Sequence, residues 1–160
     1  MRAAGRGQER SSKNDCFRLR VNKQGVQVQK FVNGVVFARP EDDEYEGMAH
    51  IWVRDAENAY WFSLSRAVGA DVIEVMVSDQ LTHVGDILSV TLNACGLHVR
   101  VDDLAAHALD GHLEYTIGFH PESDSFDAIS ETLKVIFRGK EGLVLSSSSA
   151  GSLRPLPARR

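Results

Sequence analysis

Apolar and polar residues alternate along most of this chain. In FRLRVN (17 to 22), Phe17, Leu19 and Val21 fall on one face and Arg18 and Arg20 on the other. GVQVQKF continues the pattern after Gln24 and Gly25. A period of two predicts half-buried strands. FVNGVVFARP follows, and its Asn33-Gly34 fits either a two-residue hairpin turn or a kink within one strand. Phe31, Asn33, Val35 and Phe37 would then share a face, and Pro40 would end the segment. MAHIWVRD and AYWFSLSRA read as two further strands joined by AENA. VIEVMV (72 to 77) is another, with Ile73, Val75 and Val77 on one side. DILSVTLNACGLHVRV predicts a hairpin turning near Asn93 to Gly96. Leu88, Val90 and Leu92 oppose Ile87, Ser89, Thr91 and Asn93, and Leu97, Val99 and Val101 form the returning apolar face. HLEYTIGFH adds a strand through Leu113, Tyr115, Ile117 and Phe119, and GLVL an edge strand. Short segments with few residues between them favour antiparallel pairing.

The period changes twice. DDLAAHAL (102 to 109) predicts a short helix capped by Asp102 or Asp103 and stopped at Gly111. In ESDSFDAISETLKVIFRG, Phe126, Ile129, Leu133, Ile136 and Phe137 recur at helical spacing. Ser123 or Asp124 would cap it, and Lys134 and Arg138 sit at its end, where the helix dipole favours positive charge. That stripe needs an apolar partner, and the sheet is the only large one available. Burying four such side chains contributes on the order of 6–12 kcal/mol before entropy. The predicted fold class is therefore α+β: a largely antiparallel β-sheet packed by one long C-terminal helix, plus a short helix.

Composition narrows the class. At 160 residues the chain suits one domain, and 43% hydrophobic with 25% charged residues is an ordinary globular balance. No stretch approaches the ~20 apolar residues of a membrane helix. The first 15 residues have charge but no apolar run, so they do not form a secretory signal. Two cysteines, Cys16 and Cys95, make no framework; both sit in apolar neighbourhoods, which suggests buried or half-buried thiols and a reducing cytoplasm, with a disulfide between the two left open as the alternative. Residues 1–15 carry a net +2 and residues 146–160 a net +3, and both are poor in large apolar groups. They read as disordered tails around a single domain, 16–145. With a total of −4, that domain carries −9. Such a charge repels nucleic acid and anionic membranes and attracts a basic partner.

No G-x-S-x-G, P-loop, H-E-x-x-H or C-x-x-C motif occurs. The six histidines (50, 83, 98, 107, 112, 120) have no metal-ligand spacing and read as surface residues. Ser78, Asp79 and His83 are the residue types of a hydrolase triad, but triad members converge from different parts of a fold. Ser78 and Asp79 read more simply as the polar turn that closes a strand. The sequence thus assigns no catalytic residue, metal or cofactor. Trp52, Trp61 and Phe62 read as core aromatics. EDDEYEG (41 to 47) has five acids in residues 41–46, too dense a like charge for a helix or strand, so a solvated loop is expected.

From roughly Phe31 to Phe137 the order of segments resembles the tenth immunity-protein family of bacterial polymorphic toxin systems. The matching features are the acid-rich loop (Glu41, Asp42, Asp43, Glu44, Glu46, Gly47), YWFSLSR (60 to 66), VMVSDQ (75 to 80), the glycine before DILSVTL, LHVRVDDLAAHAL, EYTIGF and FDAISETLKVIF. The family pattern places a glutamate between the valines where this chain has Met76, which implies a different toxin or a different contact. The resemblance implies a non-enzymatic protein that binds and neutralises a cognate toxin. An acidic domain would steer a basic toxin. Glu41, Asp42, Asp43, Glu44 and Glu46, with Tyr45 as aromatic anchor, are the expected contacts. Two rival readings remain: a small-ligand domain with a pocket between sheet and helix lined by Trp52, Trp61 and Tyr115, and a small hydrolase. Oligomeric state is left open, homo-oligomers included.

Overall fold

Strand β1 (Gln29–Asp42) buries Val32, Val36 and Ala38 and turns Phe31, Asn33, Val35 and Phe37 the other way. β2 (Met48–Asp55) buries Ala49, Ile51 and Val53, and β3 (Tyr60–Arg66) buries Phe62 and Leu64. β4 (Ile73–Val77) buries all three of its odd-numbered residues. These four strands, joined antiparallel, form one half of the sheet. The other half contains β6 (Ser89–Asn93), β7 (Gly96–Arg100), β8 (Glu114–Phe119) and the edge strand β9 (Leu143–Leu145). β5 (Leu81–Gly85) closes the first half as the opposite edge. The computed structural model describes residues 29–146. The strand read at 17 to 22, the setting of Cys16 and the tails 1–15 and 147–160 lie outside them.

The result is a mixed α+β fold with one nine-stranded, mostly antiparallel sheet, in the order β5-β4-β3-β2-β1-β8-β7-β6-β9. Two pairings are parallel, β1 with β8 and β6 with β9. Local patterning does not reveal these, because parallel neighbours are set by long connections. Helix α1 (Asp103–Ala108) lies between β7 and β8 in the chain yet touches β5, so the sheet curls around its apolar face.

Asn33-Gly34 is not a hairpin turn: it lies within one strand, as the second reading has it, with Phe31, Asn33, Val35 and Phe37 on one face. β1 runs through it, and Gly34 is required by close approach: a Cβ there would lie 2.3 Å from the Arg54 carbonyl oxygen on β2. Pro40 does not end the strand either, which continues to Asp42. Leu88, expected inside, is 55% exposed; Ile87 is buried instead, because residues 86–88 lead into β6 without strand geometry.

The C-terminal helix is shorter than expected. α2 (Phe126–Ile136) has 11 residues, about three turns, and Ser125 caps it by accepting from the Ala128 N–H at 3.2 Å. Ser123 and Asp124 do not cap it because they serve β1. Beyond Gly34, β1 has run past the end of β8, and its exposed backbone groups need partners. Ser123 Oγ accepts from the Val36 N–H (2.9 Å), Asp124 Oδ2 from the Ala38 N–H (2.8 Å), and the Asp124 N–H donates to the Val36 carbonyl. Gly139, at φ 73°, ends the helical run. Ile129, Leu133 and Ile136 are fully buried against β1, β2 and β3.

At one end of this interior sits a polar cluster that the alternation conceals. The Asp110 carboxylate accepts hydrogen bonds from the Tyr60 and Tyr115 hydroxyls and lies 3.0 Å from His112 Nδ1. Lys30 Nζ stands 4.5 Å above the Tyr60 ring. Burial raises the Asp110 pKa, but the bonds from Tyr115, Tyr60 and His112 outweigh it and hold the carboxyl below its usual range. Burial, followed by these same bonds, pushes both tyrosine hydroxyls far up. A group with a depressed folded pKa stabilises the fold above its unfolded pKa, near 3.8, and that contribution is lost as pH falls through the folded value. Asp110→Asn is expected to cost about 1–3 kcal/mol at neutral pH. In urea titrations its difference from wild type should narrow in strong acid; a constant difference would mean the charge is not what matters.

Candidate functional site

The outward face of β1 to β4 is not evenly polar. Across the strands, Phe37 stands opposite Trp52, Trp52 opposite Ser63, and Ser63 opposite Met76. In the next row, Arg39, His50, Ser65 and Glu74 follow one another in the same way. The middle strand, β3, thus carries two small side chains between taller ones on β2 and β4. Side chains on one strand face recur every second residue, so W-x-S-x-S in β3 lays a tryptophan and two serines along one line. The consequence is a trough running along β3 for roughly 13 Å, with a volume of about 640 Å³. Ser63 and Ser65 form its floor, Trp52 and His50 one wall, and Met76 and Glu74 the other.

Aromatic packing stiffens the first wall. Phe37 and Trp52 lie 5.7 Å apart, and Trp52 and Trp61 stack at 4.9 Å with 20° between their planes. The Arg54 guanidinium covers the Trp61 ring at 5.4 Å. Trp52 and Trp61 are therefore not core aromatics: Trp61 is 37% exposed and Trp52 half-buried. The expected pocket between sheet and helix does not form from these residues. Both tryptophans face away from α2, whereas Tyr115 is buried on the helical side with its hydroxyl committed to Asp110.

The acid-rich segment borders this trough. It is less of a loop than its charge implied: Glu41 and Asp42 end β1, and Asp43–Tyr45 form one 3-10 turn. Glu46 and Gly47 take left-handed conformations (φ 56° and 79°) that carry the chain back into β2. Asp42 holds this turn together. It accepts from the Glu44 N–H at 3.0 Å and pairs with His50 Nε2 at 2.7 Å. The His50 hydrogen bond outweighs the effect of burial and holds its carboxyl below the usual range. Glu41, Asp43, Glu44 and Glu46 are exposed, and none has an ion-pair partner among the described residues. Tyr45, 57% exposed, stands edge-on to His50 at 5.6 Å and lines the trough. Of the six expected contact residues, five are thus free to meet a partner and Asp42 is structural.

The far end of the trough is the segment that resembled a triad. Ser78 Oγ accepts from the Trp61 N–H at 3.1 Å, which ties the turn to the start of β3. Asp79 and Gln80 are both left-handed (φ 61° and 59°), an unusual conformation for two consecutive non-glycine residues. His83 lies on β5 opposite Val75, on the sheet's inner side, while Ser78, Asp79 and Gln80 line the trough outside. No hydrogen bond joins Ser78, Asp79 and His83 to one another among the described residues, so the chain does not assemble this triad.

The histidines are not simply surface groups. His50, His98 and His112 are half-buried beside Asp42, Glu114 and Asp110. Among the described residues, no three His, Cys, Asp or Glu side chains gather closely enough to hold a metal ion. No described helix is long and apolar enough to cross a membrane. No family model, curated protein or solved structure matches this chain. What the site can do is therefore argued from its own geometry. The described residues hold eight basic and 20 acidic side chains, a net of −12. The face thus combines a stiff aromatic wall and a shallow polar floor with an acidic turn at one end and Asp79 at the other, where Arg54 covers Trp61.

Proposed function

We propose that this chain works by binding, and that its partner is a basic protein domain of the kind that immunity proteins neutralise in bacterial toxin systems. The observation that carries this reading is the shared rim. Four exposed carboxylates without ion-pair partners, at 41, 43, 44 and 46, adjoin a trough whose half-exposed aromatics include Tyr45 and Trp61. Interface energy concentrates on tyrosine and tryptophan anchors, and acids at the rim speed encounter with a basic surface. Exposed carboxylates also imitate the phosphates that a nucleic-acid-cleaving toxin binds, so they offer such a partner a decoy. Asp79 and Glu74 extend the negative charge along the trough. In this reading Met76, on the wall where the family pattern has a glutamate, makes the centre of the face apolar and shifts its choice of partner.

One observation favours a second reading: a 640 Å³ trough with two stacked indoles also has the size of a small-ligand site. The experiment that separates the two is affinity capture from the native cell extract with the full chain as bait. The protein-binding reading expects one basic protein retained at low salt and released as salt rises. Retention of no protein, with Trp52 and Trp61 fluorescence shifting on exposure to the extract's small-molecule fraction, would replace it with the ligand reading.

A further inference from the structure

The floor of the trough carries two hydroxyls that the fold does not use. Ser63 and Ser65 line it from β3, and Ser65 is only 8% exposed, yet neither hydroxyl has a hydrogen-bond partner among the described residues. Polar side chains buried to this degree are normally bonded, so a ligand that donates a hydrogen bond is favoured here. Across the β3–β4 pairing, Glu74 stands directly opposite Ser65. Its carboxylate is exposed and also has no partner among the described residues. One row along, Ser63 lies between Trp52 and Met76. A polar, acidic seat and an apolar slot therefore adjoin, roughly 7 Å apart along β3.

We infer that this end of the trough seats one arginine side chain of the partner, its stem over Ser63 between Trp52 and Met76 and its guanidinium on Ser65 against Glu74. The inference deepens the proposed function and rests on its reading of the trough as the partner's seat. The surrounding charges leave this place, and not the other end, open to a cation. His50, opposite Ser65 on the β2 side, is matched by Asp42 at 2.7 Å, so that wall adds no net positive charge. Arg39, in the same row on β1, is committed to Asp124 at 2.9 Å. Arg54 covers Trp61 at the far end, two rows from Ser65, or roughly 13 Å along the strands.

The shape selects arginine over lysine. The walls stand on β2 and β4, two strand spacings or roughly 9.5 Å apart, and the Trp52 and Met76 side chains narrow that gap to a slot for one side chain. A guanidinium is flat, is weakly hydrated and holds its N–H groups in one plane, so it can pair with a carboxylate and donate to a neighbouring hydroxyl while its faces rest on apolar walls. A lysine ammonium is compact and strongly hydrated, and gains little from such walls. Met76 fits the same picture: its thioether supplies apolar contact for the stem. Arginines are also among the side chains on which interface energy concentrates.

Trp52 and Trp61 are the chain's two tryptophans and both line the trough, so their emission reports occupancy. The test titrates the full chain with N-acetyl-arginine amide and with N-acetyl-lysine amide, read by that emission and by backbone amide chemical shifts. The arginine compound should bind saturably and about fivefold or more tightly than the lysine compound, with shifts centred on residues 63–65 and 74–76. Ser65→Leu fills the floor and Glu74→Gln removes the counter-charge; each should weaken arginine binding about fivefold or more while keeping a cooperative melt. Should the leucine variant fail to fold, Ser65→Ala removes the same hydroxyl without adding bulk. Glu57→Gln, which removes an exposed acid from the turn between β2 and β3, should leave binding unchanged. Equal binding of the two compounds, or an equal loss in Glu57→Gln, would reduce the effect to net charge and overturn the inference. Shifts confined to other parts of the chain would overturn it too. Capture of a basic protein without this discrimination would remove the arginine seat and leave the proposed function standing. Saturable, arginine-selective binding with no protein captured would keep the seat and remove the protein partner.

Discussion

Leu133→Asp is expected to leave the chain unfolded at room temperature. Leu133 is fully buried on α2, between Ile129 and Ile136, and faces β1 and β2. Truncating such a leucine alone costs about 2–5 kcal/mol. A carboxylate in its place adds the cost of an unpaired buried charge, for which no described basic group is in position. Whole domains are stable by only about 5–15 kcal/mol. Far-ultraviolet circular dichroism should lose the native spectrum and its cooperative melt. A wild-type melting temperature would mean that α2 does not pack on the sheet as described. Leu133→Ala separates packing from charge: it should fold with a lowered melting temperature.

The second large effect concerns the acidic turn. Replacing Glu41, Asp43, Glu44 and Glu46 with their amides removes four charges from the rim and leaves the Asp42–His50 pair that shapes the turn. With the captured partner, association at low salt should slow ten- to hundredfold, and its dependence on ionic strength should flatten. Dissociation should change much less, because rim charges act mainly on encounter. Stopped-flow measurement against salt checks this. Asp42→Asn serves as a contrast, since it should perturb the turn and its melting behaviour more than the association rate. Unaltered association in the fourfold variant would remove the acidic turn from the interface.

Much of the fold is legible from period alone. β2, β3, β4, the β6–β7 hairpin, β8 and both helices lie where alternation or helical spacing places them, because each buries one face and the pattern records it. β5 is not, since Leu81, Thr82 and Val84 are exposed and an edge strand without a buried face leaves no alternation. The helix start was displaced for a tertiary reason. Ser123 and Asp124 are good caps in isolation, but an unpaired stretch of β1 claims them.

The site was legible in part. Glu41 to Glu46 stand out by charge, and their exposure follows from like-charge density. That Asp42 is structural depends on His50 arriving from the next strand, which spacing does not show. The trough was missed because its signal is an absence of size. Ser63 and Ser65 look unremarkable in YWFSLSR until register sets them between Trp52 and Met76. Alternating serines after a tryptophan, on the outward face of a central strand, are the mark by which such a trough can be sought in a sequence.

One claim underlies the rest: the acidic turn, the aromatic wall and the turn at residues 78–80 form a single binding face. Hydrogen exchange of the full chain, with and without the captured partner, tests it most directly. Protection should concentrate in residues 41–52, 60–66 and 74–80, with residues 103–110 and 126–136 unchanged. Protection confined to α1, α2 or β9, with the trough strands exchanging as in the free protein, would contradict it.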